Sequence, residues 1–533
     1  MSNRRDNLTV AVLGIVIGVL LTMLIYQFIP SRHRGRAQYS AAWSKLNMVL
    51  KAIDANYVDT VDAEGVSEAA IQAILSKLDP HSIYLTREAL SASETELSGN
   101  FDGIGIQFNV PNDTAIVLEV IPGGPAEKVG MRQGDRLLKV DSVVIAGVKF
   151  PQDSMVAHIK GPSGTKVAVL ALRDEEEILF EITRGKIPVH SVDAYFMLDD
   201  STGYIRLSKF AMTTYEEVLT AGVKLIAEGM TRLVFDLRDN SGGYFNQALL
   251  VSNLFLSKGD GVVYLDGLHR KRETYKADGQ GLFQGVGVQV LINESSASSS
   301  EIVAGAIQDN DRGVVLGRRS YGKGLVQEPI YFTDGTGIRI TISRFYTPSG
   351  RCIQKPYTDD YNYDIYKRYY TGEMFDKDSM KVDTNSVYYT KAGRQVYGGG
   401  GIIPDVFVPL DTTTVTDFYR ACNRKATQMR FASYIFDQYK ATLGEIDDYA
   451  ELERFISGLN IPARFLAFAA SKDGILARSG EWAKSESYML PQLRALIGRY
   501  SKLGDNAFYK LYLSIDDVVA TALLSPFDPL ELP

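Results

Sequence analysis

The sequence predicts an α/β core with an inserted β-rich module, an N-terminal transmembrane helix and a helical C-terminal extension. Three observations lead there. The run from Leu8 to Ile29 carries no charge. From about Phe101 to Arg184 short alternating apolar stretches are bounded by Gly, Pro and Asp. From about Val192 to Pro409 apolar strands alternate with helical patterns.

The chain has 533 residues, a length that suits roughly three or four domains. A net charge of -7, without a basic stripe, argues against nucleic acid as a partner. Cys352 and Cys422 form no CxxC pair, which disfavours a structural zinc site and excludes a dense disulfide framework. No P-loop, HExxH or dinucleotide fingerprint is present.

Residues 1–36 are expected to be a cytoplasmic end and a transmembrane anchor. Leu8–Ile29 can span a bilayer at about 1.5 Å per helical residue. A long, cleaved signal peptide is the other reading, although no small-x-small site closes the run. Arginines on both sides leave the orientation open. Residues 37–96 are expected to be a helical region. Leu46, Val49, Leu50 and Ile53 share a helical face, and Pro80 ends the pattern at Leu78–Leu85, LDPHSIYL. Residues 97–185 hold the β-rich module and 186–412 the α/β core. Residues 413–533 form a helical tail with long amphipathic segments at Asp417–Tyr439 and Glu486–Leu503. The Tyr-rich, charged stretch Tyr357–Tyr397 is expected to be a loop or a loosely packed insertion, ended by Gly398–Gly401.

Three corners could carry chemistry. The apolar strand VQVLI ends in a cluster of small hydroxyl residues before a helix at Ser299. Such a corner exposes Ser298, and the free N–H groups of a helix start, Ser299 first, can bind developing negative charge. A serine hydroxyl needs a base. Lys323, between two glycines, can act as one if burial lowers its pKa, and Gln327 can orient it. An ordinary helix cap and a surface hairpin explain the same residues. The second corner, Asp239–Gly243, follows the strand RLVFDL, and Gly242 or Gly243 could give another oxyanion N–H; a plain βα turn fits equally. At the third, Gly103, Ile104, Gly105 and Ile106 could present N–H groups to a peptide carboxylate, with the next strand edge pairing to the peptide; a hairpin entry is the plainer reading.

Seven strings in order resemble the carboxyl-terminal processing peptidases, the tail-specific protease group of serine peptidase family S41. They are LDPHSIYL, FDGIGIQF, GGPAEKVGMRQGDRLLKVD, DLRDNSGG, SSASSSEIVAGAIQD, YGKGLVQ and GGGGIIPDV. The resemblance covers about Leu46–Pro409. It implies a crotonase-like protease core and a PDZ domain at 97–185, with Gly103–Ile106 near the bound C-terminus. It implies Ser298 as nucleophile, Lys323 as general base and Gln327 as its partner. Oxyanion N–H groups would come from Ser299 and the Asp-Asn-Ser-Gly-Gly turn. Asp309 would be structural. The family commonly has alanine where this chain has Ser299, which should not matter to a backbone donor. The implied activity is endopeptidase cleavage near protein C-termini, with no metal or cofactor. The implied location is a bacterial inner membrane, single-pass, with the catalytic body in the periplasm. Homo-oligomerisation is left open. The rivals are a PDZ adaptor on an inactive scaffold and an acyl-CoA-processing enzyme on the same core. The extension resembles those of Bacteroidetes-type members and suggests no role.

Overall fold

The computed structural model describes residues 41–97, 100–111, 113–188, 190–358 and 361–532. The apolar run Leu8–Ile29 lies outside them. Among the described residues no helix is long and apolar enough to cross a membrane. A first unit, ending at Ala73, contains helix Ala41–Asn56 and most of helix Ala63–Leu75, so the continuous pattern read from the sequence is broken. The second unit runs from Ile74 onward.

The second unit is organised by a six-stranded sheet. Its order is Val192–Met197, Thr202–Leu207, Arg232–Asp236, Gly287–Ile292, Val314–Gly317 and Val406–Phe407. The first pair is antiparallel and the rest are parallel. The central strands are buried on both faces, as parallel strands covered twice must be, so they read as continuous apolar runs. Leu233, Phe235, Val290 and Ile292 pack on one face with helices Phe245–Asn253 and Ser299–Asp309. Val234, Leu291, Val314 and Leu316 pack on the other with Leu513, Val518, Val519 and Ala522. The last part of the C-terminal extension therefore closes the second face of the core.

A five-stranded sheet carries the loop of interest. Strand Gly337–Tyr346 pairs with Ile83–Leu85, Gly261–Gly267 and Leu325–Tyr331, and Arg270–Lys276 completes the sheet. Lys323 lies just before Leu325–Tyr331, and Gln327 sits at a register shift within it.

The β-rich module has its own sheet, in the order Ile106–Asn109, Ala115–Val120, Arg136–Val140, Lys166–Arg173 and Glu176–Thr183. Its core includes Ile104, Val117, Leu137, Val169 and Phe180. Entry strand Asn100–Gly103 pairs with exit strand Gly185–Pro188 and closes the module's base.

Two sequence expectations change. The segment Asp417–Tyr439 is two helices, Asp417–Arg424 and Thr427–Leu443, because Ala426 takes a left-handed φ of 51°. The Tyr-rich stretch leaves several tyrosines exposed, Tyr363, Tyr366 and Tyr370 among them, but it holds helix Asp364–Tyr370 and paired strands Val387–Tyr389 and Gln395–Tyr397, and it is anchored to the site. Arg368, 4% exposed, donates to the carbonyls of Arg319 (3.2 Å), Ser320 (2.8 Å) and Tyr321 (3.3 Å), just upstream of Lys323.

Candidate active site

Ser298 ends the strand-to-helix corner with φ 55° and ψ -112°, a region non-glycine residues rarely enter. Such a residue costs on the order of 1–3 kcal/mol and persists only where its surroundings over-determine it. Here they do. Ala297 N–H donates to Asn240 C=O at 3.0 Å. Ser300 Oγ donates to the same oxygen at 2.9 Å. Ser298 N–H donates to Glu301 Oε2 at 2.8 Å.

Glu301 ties this corner to the lysine loop. The carboxylate, fully buried, also accepts from Lys323 N–H (2.9 Å), Gly322 N–H (2.7 Å) and Ser320 Oγ (2.5 Å). Burial raises its pKa against the pull of these donors. Sequence reading saw only an acid in a helix's first turn. Its reach to Lys323 is a long-range contact with no local signature.

Ser298, Lys323 and Gln327 line one cleft of about 490 Å³, walled by apolar groups such as Phe210, Phe245, Leu325 and Phe345. Burial lowers the Lys323 pKa, and the positive charge of Arg339 lowers it further, against Glu301 and Asp79. Arg339 lines the same cleft and donates to Ser93 Oγ at 2.5 Å. It has no ion-pair partner among the described residues. No hydrogen bond joins Ser298 Oγ to Lys323 Nζ. Gln327 donates its amide to His81 C=O at 2.6 Å, not to Lys323.

The LDPHSIYL segment thus acts on the site. Asp79 accepts from the N–H groups of His81 and Ser82, each at 2.8 Å, and so shapes the turn that offers His81 C=O. The His81 ring meets Tyr361 Oη at 2.7 Å. Gln354 donates to that Oη at 3.1 Å and accepts from Gly324 N–H at 2.9 Å. Burial, with Lys323 nearby, pulls His81 to about 4, which keeps its ring neutral at physiological pH.

The two candidate glycines differ. Gly242 N–H already donates to Asn240 Oδ1 at 2.9 Å. Gly242 C=O and Tyr244 N–H both bond to the backbone of Phe210, so Gly243 turns its own N–H the opposite way, free of any acceptor among the described residues. Gly243 has φ 146°, and a Cβ there would stand 2.1 Å from Phe210 O, so only glycine fits. Ser299, at the first helical position, also has no acceptor for its N–H among the described residues, and its hydroxyl donates to Gly243 C=O at 3.0 Å. The side chain in the family's usual alanine position therefore links the two loops that hold the free donors.

In the β-rich module Ile104 is buried, and its C=O accepts from Ala126 N–H at 2.8 Å. Gly105 takes φ 81°, and its C=O accepts from Ile121 N–H at 3.0 Å. Strand Ile106–Asn109 lies at the edge of its sheet, paired on one side only.

Residues 201–363 match the family model of peptidase family S41, 103–183 that of the PDZ domain, and 26–89 that of the activating protease CtpB N-terminal domain. A "Probable CtpA-like serine protease" of Staphylococcus aureus strain N315 is 33% identical over 342 residues, covering 63% of this chain and 68% of the relative. A protein of the same name from Staphylococcus haemolyticus is 32% identical over 311 residues, covering 58% and 62%. Among solved structures, the photosystem II D1 C-terminal processing protease is similar at 27% identity and a TM-score of 0.37, covering 59% of this chain and 85% of that one. The PDZ domain of the Vibrio cholerae carboxy-terminal protease, solved with a peptide, is 32% identical with a TM-score of 0.16, covering 17% and 99%. The chain belongs to peptidase family S41, as a PDZ-containing serine endopeptidase of the C-terminal processing type.

Proposed function

We propose that Ser298 is the nucleophile and Lys323 the general base of this peptidase. The observation that carries the reading is one cleft that holds both, with the lysine largely buried and without an ion-pair partner among the described residues. Neutral Lys323 Nζ takes the Ser298 proton while Oγ attacks the scissile carbonyl carbon. The N–H groups of Gly243 and Ser299 receive the oxyanion. The C–N bond then breaks, and the leaving amine takes the proton from Lys323. Water, deprotonated by the same lysine, hydrolyses the acyl-enzyme. Gln327, held by His81 at rest, turns to orient the lysine when substrate closes the cleft. Gly103–Ile106 and the free edge of Ile106–Asn109 capture the substrate C-terminus by strand addition. Leu8–Ile29 anchors the chain in the inner membrane of a bacterium, with the body in the periplasm. The protein carries out its chemistry without metal or organic cofactor.

The test uses the full chain in detergent micelles and an unfolded protein ending in apolar residues. Mass spectrometry should show fragments released near that C-terminus. The same substrate ending in two aspartates should be cut far more slowly. Equal cutting of both tails would refute recognition through the C-terminus.

The pH dependence follows from the lysine. Lys323 acts only when neutral, so kcat/KM should rise with pH through its pKa. The charges that act on it are Arg339, which disfavours the ammonium, and Glu301 and Asp79, which favour it; the His81 ring beside it is neutral. Arg339→Gln removes a cation that disfavours the ammonium, so the Lys323 pKa rises. The acid limb of the kcat/KM profile should move to higher pH, and the rate at neutral pH should fall several-fold. Arg339→Lys should keep the parent profile. An unmoved limb in Arg339→Gln would show that the charge has no hold on the base.

A further inference from the structure

The C-terminal extension has no place in the reaction described so far, yet one of its side chains reaches the root of the oxyanion turn. Arg238 opens the turn that ends at Gly243. Its guanidinium is held between two carboxylates. Nε and Nη2 donate to buried Asp236 at 2.9 and 2.6 Å, and Nη1 donates to Asp516 Oδ1 at 2.9 Å. Asp516 belongs to the extension. Its Oδ1 also accepts from Val518 N–H (3.0 Å) and Val519 N–H (3.1 Å), capping helix Asp517–Leu524. The carboxylate is therefore fixed by its own helix and offers Arg238 a rigid partner. The side chains of Arg238 and Asp516 are 12% and 10% exposed, so the pair is little screened by solvent.

The rest of the turn is pinned in series. Arg238 N–H donates to Asp236 Oδ1 at 3.0 Å. Asp239, at φ 62°, exchanges two hydrogen bonds with Asn293 at 3.0 and 2.8 Å. Asn240 Nδ2 donates to Leu207 C=O at 2.8 Å. The turn is thus fastened at Arg238, Asp239, Asn240 and Gly242, and Arg238 is the fastening that reaches the extension. The same extension also grips the PDZ module. Arg136 pairs with Asp437 at 2.5 Å, Lys440 pairs with Asp174 at 3.1 Å, and Leu118 packs on the helical core.

We infer that Asp516 is a positioning residue for peptide hydrolysis: through Arg238 the C-terminal extension holds the turn that aims the Gly243 N–H at the oxyanion. The extension is then part of the catalytic apparatus, and the same body holds the tail-reading module. This rests on the reading of Ser298 and Gly243 given above.

The test compares kcat and KM of the full chain with those of Asp516→Asn, Asp516→Glu and Asp517→Asn. An asparagine oxygen can still cap the helix but lacks the charge that holds Arg238. Asp516→Asn should lower kcat roughly 10-fold, since small misplacements of a transition-state donor are costly. KM for a tail-bearing substrate should change little. Asp516→Glu should recover most of kcat, and Asp517→Asn should match the parent. An unchanged kcat in Asp516→Asn overturns the inference. So does a rise in KM alone, which would place the effect on tail binding. Loss of the folded state in Asp516→Asn would make the pair structural and overturn it too. Failure of the underlying reading looks different: it would leave Ser298→Ala active.

Discussion

Ser298→Ala and Lys323→Met should each reduce peptide hydrolysis by roughly 10⁴-fold or more, with the fold intact. Ser298→Ala removes one oxygen and leaves the Cβ that packs against Gly242, where a glycine Cβ would stand 2.8 Å away. The unusual backbone at 298 is fixed by backbone bonds and by Glu301, so it should survive the change. Lys323→Met keeps the length and apolar stem of the side chain and removes only the amine. Burial of that amine already disfavours its charge. Methionine relieves that cost, so the melting temperature should hold or rise. Lys323→Arg should be as inactive as the methionine variant, because a guanidinium stays protonated in proteins and cannot accept the serine proton. The double variant should be no worse than either single one, since the two groups act as a unit. Mass spectrometry of a digested unfolded protein, with circular dichroism of each variant, measures all of this. A Lys323→Met enzyme that retains a tenth of the parent rate would remove the lysine from its assigned role.

The site was largely legible because its parts sit at element ends that sequence marks. An apolar strand running into small hydroxyl residues places Ser298, and paired glycines place Lys323 and the turn at Gly243. The sequence could not say which of Gly242 and Gly243 keeps a free N–H. That depends on which side of the bridge to Phe210 each amide faces, and both are glycines in the same string. Arg368 was hidden for a related reason. A charged, Tyr-rich stretch reads as surface, and nothing local shows that one guanidinium will be buried against three carbonyls. The break at Ala426, where the chain takes a left-handed φ, has no glycine or proline to announce it. Asp516 lies in no motif at all. Its meaning comes only from the fold, which brings a helix cap of the extension onto the first residue of the oxyanion turn.

Glu301→Gln should be nearly as damaging as loss of the nucleophile, although no substrate atom touches this residue. The carboxylate is an acceptor on both oxygens, and four donors converge on it, from Ser298, Ser320, Gly322 and Lys323. Glutamine replaces one acceptor oxygen with an NH₂ group. That group must face either the N–H groups of Ser298 and Lys323 or the Ser320 hydroxyl and Gly322 N–H. The backbone donors cannot turn round, so at least one would be left buried without a partner, at about 1–3 kcal/mol for each such donor. The corner carrying the nucleophile and the loop carrying the base would then lose their shared fastening and separate independently. We expect kcat to fall at least about 100-fold, as for other small misalignments of reacting groups, and the urea midpoint to drop. Ser320→Ala is the informative companion, because it deletes one donor and leaves the carboxylate its three backbone bonds. It should cost far less in both rate and stability. If Glu301→Gln instead keeps the parent kcat while losing stability, the carboxylate only glues the fold, and the alignment of Ser298 with Lys323 must be maintained by the backbone bonds of Ala297 and the Arg368 clamp.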